Sequence, residues 1–251
     1  GPFSDHMSTG EARGLTGEML TSEKAKEKVK KFIGEDRVEE ITEAGKNDTG
    51  PIKTFSYNVK IKNAPEDQGI NIGVSQKGGH VVWMLYNRPV SEKKLDINQA
   101  KKAGKEFLEQ KGYKNMEDTY YLTQDNIATI NYAYNQDGVT MYPDLIKVKV
   151  ALDNGEVVGI EAKTYLSNHT EREIPEPKIT QEEAKQKINS KLQLHGSGLA
   201  YIPTDYKKEL FCYEFKGKMN DNDFIVYINA LTGEEEDILI IVNTPNGVLT
   251  M

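Results

Sequence analysis

The residues with chemistry to offer are few: four histidines, one cysteine and one run of acids. His6, His80, His169 and His195 are scattered. No two stand at a metal-ligand spacing and no cysteine joins them, so no zinc site is expected. Cys212 has no histidine near it in sequence, and a thiolate nucleophile needs a base and an orienting group brought to it. Strand alternation sets it on the face opposite Phe211 and Tyr213, the place of a packed or semi-exposed structural thiol. The run Glu234-Glu235-Glu236-Asp237 invites calcium, but consecutive strand residues point to opposite faces and cannot converge on one ion, so it reads as a solvated hairpin edge. No glycine-rich phosphate loop, nucleophile elbow or paired-carboxylate signature is present. The expectation is therefore no catalytic, cofactor-binding or metal-binding residue and no cofactor: a protein that binds and is not an enzyme.

Composition agrees with a binding protein built from small parts. With 251 residues, 37% hydrophobic and 28% charged, the apolar content is too low for one large core, and two or three small domains are expected. The net charge of -7 argues against nucleic acid as a partner, since phosphate binding needs lysine and arginine clustered on one face. A single cysteine excludes an intramolecular disulfide framework. The longest apolar run, Ile238 to Val242, is far too short to span a bilayer. Gly1-Pro2-Phe3-Ser4-Asp5-His6-Met7 reads as the remnant of a cleaved purification tag, with a native N-terminal segment expected to be missing and a flexible lead-in following it.

What could position a binding surface is a repeat. Leu20-Thr21-Ser22-Glu23-Lys24-Ala25, Leu95-Asp96-Ile97-Asn98-Gln99-Ala100 and Ile179-Thr180-Gln181-Glu182-Glu183-Ala184 open alike. Thr21, Asp96 and Thr180 are helix N-cap residues by type, and Gln99 and Glu183 complete capping boxes in the second and third copies. From each alanine an apolar stripe runs on: Val29, Phe32 and Ile33; Gly104, Phe107 and Leu108; Ile188 and Leu192, broken by Lys191. Period-two strands follow, centred on Tyr57, Tyr132 and Tyr213, each with one buried face. A hairpin then turns at Gly78-Gly79, Asn154-Gly155 or Thr232-Gly233, with Asn-Gly suited to a type I′ turn. The alanines are 75 and 84 residues apart, and the alanine-to-glycine distances are 54, 55 and 49. The fold class expected is α+β: three tandem repeats, each one helix packed on a small antiparallel β-sheet.

Boundaries fall where the pattern lapses, giving a tag remnant and lead-in over 1–19 and repeats over 20–92, 93–176 and 177–251. The Pro-containing stretch Glu171 to Pro177 reads as a stiff extended spacer. Val81-Val82-Trp83-Met84-Leu85-Tyr86 and Ile238-Leu239-Ile240-Ile241-Val242 are apolar on both strand faces, so something must cover the second face. An adjacent copy would serve. So would a partner or a second copy of the chain, with Trp83 and Tyr86 as the partner-binding residues.

The helix opening, with Thr or Asp and an alanine four on, and a closing hairpin such as Val226-Tyr227-Ile228-Asn229-Ala230-Leu231-Thr232-Gly233-Glu234 together resemble the PepSY domain family. The third copy matches best, while the first carries Gly78-Gly79 where the family shows a polar residue and Gly. Three such units in tandem, ending in Asp237 to Met251, resemble the C-terminal region of the YpeB family of spore germination proteins, from about Leu20 to the end. That resemblance implies a non-enzymatic role in spore germination, in which the array binds and stabilises or restrains the cortex-lytic enzyme SleB. It implies a place in the spore, at the outer face of the inner membrane or in the cortex, with an N-terminal anchor absent from this chain. Restraint of a peptidase in the manner of a propeptide, or direct binding of cortex peptidoglycan, are the alternatives it leaves open.

Overall fold

The computed structural model describes residues 11–205, 208–244 and 246–250. Three helices begin at the caps that the sequence marks. Thr21 accepts the Lys24 amide ahead of α1 (Ser22–Ile33), and reciprocal capping boxes, Asp96 with Gln99 and Thr180 with Glu183, precede α2 (Ile97–Gln110) and α4 (Gln181–Lys185). Each cap satisfies amides that a first helical turn leaves free and contributes about 1 kcal/mol. A further short helix, α3 (Lys163–Asn168), lies between the second and third.

An antiparallel meander follows each capped helix. After α1 come β1 (Val38–Asn47), β2 (Thr54–Ile61), β3 (Ile70–Ser75) and β4 (Val81–Tyr86). After α2 come β5 (Met116–Gln124), β6 (Ile127–Gln136), β7 (Val139–Ala151) and β8 (Val157–Glu161). After α4 come β9 (Gln193–Pro203), β10 (Glu209–Met219), β11 (Asn222–Asn229), β12 (Glu235–Thr244) and the short β13 (Gly247–Thr250).

One set of bonds ties helix to hairpin all three times. The amide just before each cap, on Leu20, Leu95 or Ile179, donates to the first residue of its hairpin loop, the carbonyl of Gln76, Leu152 or Ala230. Each loop closes on itself by the same amide, Gly79 to Ser75, Gly155 to Ala151 and Gly233 to Asn229, with the glycine at positive φ. The tyrosine of the second strand completes the clamp: the hydroxyls of Tyr57, Tyr132 and Tyr213 donate to helix-start or helix carbonyls at 2.8, 2.7 and 2.8 Å. The near-constant alanine-to-glycine distance is thus the length of chain needed to return to the helix start.

Four expectations need correction. The Asn154-Gly155 hairpin is not type I′: its loop has four residues, and only Gly155 takes positive φ. Paired positive φ angles occur instead at Asp125-Asn126, Asp137-Gly138 and Asn220-Asp221, the two-residue turns that strand twist favours. The third helix stops at Lys185, because the amides of Lys187 and Ile188 tighten to i−3 carbonyls and Asn189 turns the chain through its side chain. Ile188 and Leu192 therefore lie beyond the helix. Nor is the lead-in loose from Glu11 on: Ala12 and Leu15 are buried, Gly14 donates to the Leu166 carbonyl, and Met19 bridges Lys77. The first ten residues lie outside the described ones. Finally, the strands do not form separate sheets.

The described strands form one sheet of thirteen, in the order β1-β2-β3-β4-β8-β7-β6-β5-β13-β12-β11-β10-β9. β4 and β8 occupy the same place in their meanders and pair antiparallel, with Met84 opposite Ile160. The α1 and α2 ends meet in the same self-matched way: Phe32 and Phe107 make an edge-to-face pair at 5.8 Å. The Lys111 ammonium sits over both rings and donates to the Phe32 carbonyl at 2.6 Å. The first two units are therefore related by a local twofold, an isologous contact made within one chain.

The third unit joins differently. β13 pairs with β5, and the first residues of β9 to reach β7 do so in parallel, Val139–Met141 against Leu199–Tyr201. β7, β6, β5, β13, β12, β11, β10 and β9 thereby close into a ring. This is why β10 is buried on both faces, against the expectation of one: Cys212 and Glu214 point into the ring and Phe211, Tyr213 and Phe215 to the helix side.

Candidate interaction site

The histidines and the cysteine singled out for chemistry lie at separate places in the fold where they are described. Burial, with the Glu236 carboxylate nearby, pushes the Cys212 thiol up to about 12, so it stays protonated. His80 bonds the Thr16 carbonyl at 2.8 Å and holds the lead-in to the first hairpin. His195 is exposed, 3.9 Å from Asp223. Glu236 accepts from the Asn229 amide group, while Asp237 accepts its neighbour's backbone amide. Among the described residues no three or more His, Cys, Asp and Glu side chains are grouped so as to hold a metal ion.

Two buried polar clusters do exist, and one irregularity builds both. Between Ala133↔Leu145 and Tyr134↔Met141, β7 has three residues without partners on β6: Tyr142, Pro143 and Asp144. Proline has no amide to give a ladder, so the strand bulges there, and a bulge re-aims the side chains beside it. Tyr142 turns into the ring. Its hydroxyl and that of Tyr227 both donate to Glu214 Oε2 at 2.6 Å, with Tyr120 packed against them. Burial and the carboxylate raise both donor phenols well above their ordinary range, so they hold their protons and keep donating.

Asp144 turns the other way and is wholly buried. The Arg172 guanidinium grips it through Nη1 and Nη2 at 2.9 and 2.8 Å, and grips Glu209 through Nε and Nη2 at 2.7 and 2.9 Å. His169 Nδ1 reaches Asp144 at 2.8 Å while its ring stacks on Tyr165 at 4.3 Å. Arg13 from the lead-in pairs with Glu209 at 2.5 Å. The stretch expected to be a spacer is thus clamped: Gln136 exchanges two hydrogen bonds with the Arg172 backbone. Sequence reading passed over Asp144, Arg172, Glu209 and Glu214. The signal available was a Pro-Asp pair inside a thirteen-residue strand that is otherwise largely apolar.

Trp83 and Tyr86, the residues expected to meet a partner, lie on opposite faces of β4. Tyr86 is buried on the helix side. Trp83 is half-buried on the outer face, its ring flat against Gly73, where a Cβ would fall 2.1 Å from Cη2. Its Nε1 donates to Asn71 at 2.8 Å, and Asn71 in turn donates to Asn58 at 2.9 Å. Beside it Leu85 is 47% exposed. The two flank a shallow concavity of about 190 Å³ across the β4–β8 seam, lined also by Lys147, Lys149, Gly159 and Glu161. The second two-faced segment divides likewise: Leu239 points into the ring, while Ile238 and Ile240 are exposed on the helix side that the short α4 leaves uncovered.

Residues 1–175 match the family described as YpeB sporulation, PepSY1 and PepSY2 domains. The chain belongs to the YpeB sporulation family. Residues 178–239 match the family described as peptidase propeptide and YPEB domain. The sporulation protein YpeB of Halalkalibacterium halodurans is 35% identical over 94% of this chain and 52% of its own length. That of Bacillus subtilis is 33% identical over 89% of this chain and 50% of its own. The chain thus spans about half the length of these YpeB relatives. The solved Bacillus megaterium YpeB C-terminal domain matches with a TM-score of 0.79 at 29% identity, covering 90% of this chain and all of that one. The YpeB likeness agrees with the α+β class and gives the chain a role in sporulation. Among the described residues no helix is long and apolar enough to cross a membrane.

Proposed function

We propose that this chain is a non-enzymatic binding array of three PepSY units that holds a cortex-lytic, peptidoglycan-degrading enzyme of the SleB type in the spore, and stabilises or restrains it. It acts at the outer face of the inner spore membrane or in the cortex. The observation that carries the reading is the outer surface at the β4–β8 seam, where an exposed Leu85 stands beside the half-buried, flat Trp83 ring on a sheet shared by two units. Aromatic and aliphatic anchors of this kind dominate protein interfaces. Family membership supports the biological setting, and the propeptide description attached to residues 178–239 supports restraint of a bound enzyme.

The test is capture of a purified SleB-type hydrolase by the purified chain, read by surface plasmon resonance, with release of cortex fragments as the activity readout. Leu85→Asp is expected to weaken capture about tenfold or more, as loss of an interface anchor does. Absence of association in this chain and in a full-length relative would overturn the reading. Capture that is untouched by Leu85→Asp and Trp83→Ala would move the contact off this face, and co-sedimentation with purified cortex without the enzyme would favour glycan as the ligand.

A further inference from the structure

The geometry points to β1 as a docking edge for an extended, lysine- or arginine-bearing segment of another protein, added as a further antiparallel strand. The local twofold that relates β4 to β8 also relates β1 to β5, the outer strands of the pseudo-symmetric sheet β1-β2-β3-β4-β8-β7-β6-β5. At the β5 end the sheet goes on, because β13 adds to β5 antiparallel through Tyr121 and Leu122. Those two residues sit opposite Ile130 and Thr129, as Lys46 and Asn47 sit opposite Phe55 and Thr54 in the first unit. At the β1 end, among the described residues, nothing follows. β1 pairs with β2 alone and leaves a ten-residue edge of backbone donors and acceptors. The chain therefore displays, at one end of its own sheet, the strand addition that the other end leaves open.

The surroundings of β1 indicate what such a strand carries. An open concavity lies on each face of it. One, of about 450 Å³, is lined by Glu27, Glu35 and Glu39, with Lys26 and Lys30. The other, of about 470 Å³, is lined by Glu40, Glu66 and Asp67, with Lys60. Strand addition draws affinity from main-chain bonds and selectivity from pockets that receive alternate side chains, and here both pockets are acidic. Lys60 is already engaged by Glu66 at 2.8 Å and Glu39 at 3.8 Å, whereas Glu35, Glu40 and Asp67 are in no ion pair among the described residues. The same charges oppose β1 pairing with β1 of a second copy, which would set Glu39, Glu40 and Glu43 against themselves. Acidic side chains and the two register shifts in β1 blunt the edge toward copies of itself and leave it open to a basic strand.

The test uses the whole chain and three ten-residue peptides of valine, threonine and either lysine or glutamate. The first carries lysine on both strand faces, the second glutamate in the same places, and the third is the lysine peptide with alternate amides N-methylated. Hydrogen exchange followed by mass spectrometry reads the site, and isothermal titration reads affinity. The expected result is slowed exchange over residues 38–47 with the lysine peptide alone, binding at least about tenfold weaker after N-methylation, and weakening by about fivefold or more in Glu39→Lys/Glu40→Lys. Equal binding of the methylated peptide would reduce the effect to charge attraction and overturn the proposal. So would protection elsewhere than β1, no protection at millimolar lysine peptide, or protection of β1 by self-association without peptide.

Discussion

Arg172→Met would remove the hub of the buried charged cluster. The guanidinium makes five hydrogen bonds: two to Asp144, two to Glu209 and one to the Thr170 carbonyl. The two carboxylates do not lose equally. Glu209 is partly exposed and keeps Arg13, whereas Asp144 has a side-chain exposure of 0% and, among the described residues, keeps only His169 as a charged partner. The penalty is therefore concentrated on one buried, under-compensated carboxylate, for which breaking the pair costs about 3 to 5 kcal/mol. At about 2 to 4 °C per kcal/mol for a chain of this size, Tm should fall by roughly 6 to 20 °C. Asp144→Asn in the same background removes the stranded charge, so the double variant should be more stable than the sum of the single losses by about 2 kcal/mol. Urea denaturation followed by far-ultraviolet circular dichroism on the four proteins of the cycle measures this. A loss under about 1 kcal/mol for Arg172→Met, or an additive cycle, would show that Asp144 is effectively solvated and that the cluster does not hold the second and third units together.

Three further outcomes are expected. Tyr227→Phe removes one of the two phenol donors to Glu214, leaving Tyr142 on the carboxylate, and should cost about 1 to 3 kcal/mol; adding Glu214→Leu should recover part of it, because an apolar pair in place of a broken polar one is nearly neutral. Gly73→Ala puts a methyl group into the Trp83 ring and should break the 2.8 Å bond to Asn71, red-shifting emission from the sole tryptophan; unchanged emission would mean that the ring does not lie on Gly73. The part of stability linked to buried phenols should be fully present below pH 10 and be lost above it. Burial raises phenols such as Tyr113, pushed up to about 12, so the unfolded chain ionises first and the native state loses up to about 1.4 kcal/mol per pH unit for that group until its own pKa is reached. Denaturation midpoints that stay flat from pH 9 to 11.5 would contradict the burial.

Local features were legible in the sequence and closure was not. Caps, hairpin glycines and the tyrosines of the second strands are decided within a few residues, by which amide lacks a partner and which φ must be positive, and Thr21, Asp96, Thr180 and Gly155 stand as read. The ring depends on which edges meet across more than fifty residues, as Val139 and Leu199 do, and period-two patterning carries no such information. It sends Cys212 and Glu214 away from Phe211 and Tyr213 and, knowing nothing of the ring, leaves that face open to water or to a neighbouring unit. The third helix misled for a related reason. Ile188 and Leu192 keep helical spacing and still pack on the core, but the Asn189 side chain accepts the Lys191 amide and draws the backbone out of the helical ladder.

The closed ring changes what kind of array this is. In a stack of repeats each unit leans on its neighbour through a surface, and removing the last unit uncovers that surface and little else. Here the Tyr142-Pro143-Asp144 bulge, within the second unit, supplies a residue to each buried polar cluster, and both clusters are completed by the third: Tyr227 and Glu214 on one side, Glu209 on the other. Taking the third unit away would remove the Glu214 acceptor of the Tyr142 hydroxyl and the Glu209 partner of the buried Arg172 guanidinium, and it would also free the edge of β5 that β13 covers. The first and second units meet instead through self-matched residues, Phe32 with Phe107 and Met84 with Ile160, an arrangement that needs no third partner. The second and third units are thus bound by buried polar groups that tolerate little relative motion, and the first is carried on their sheet with its own outer edge, β1, free.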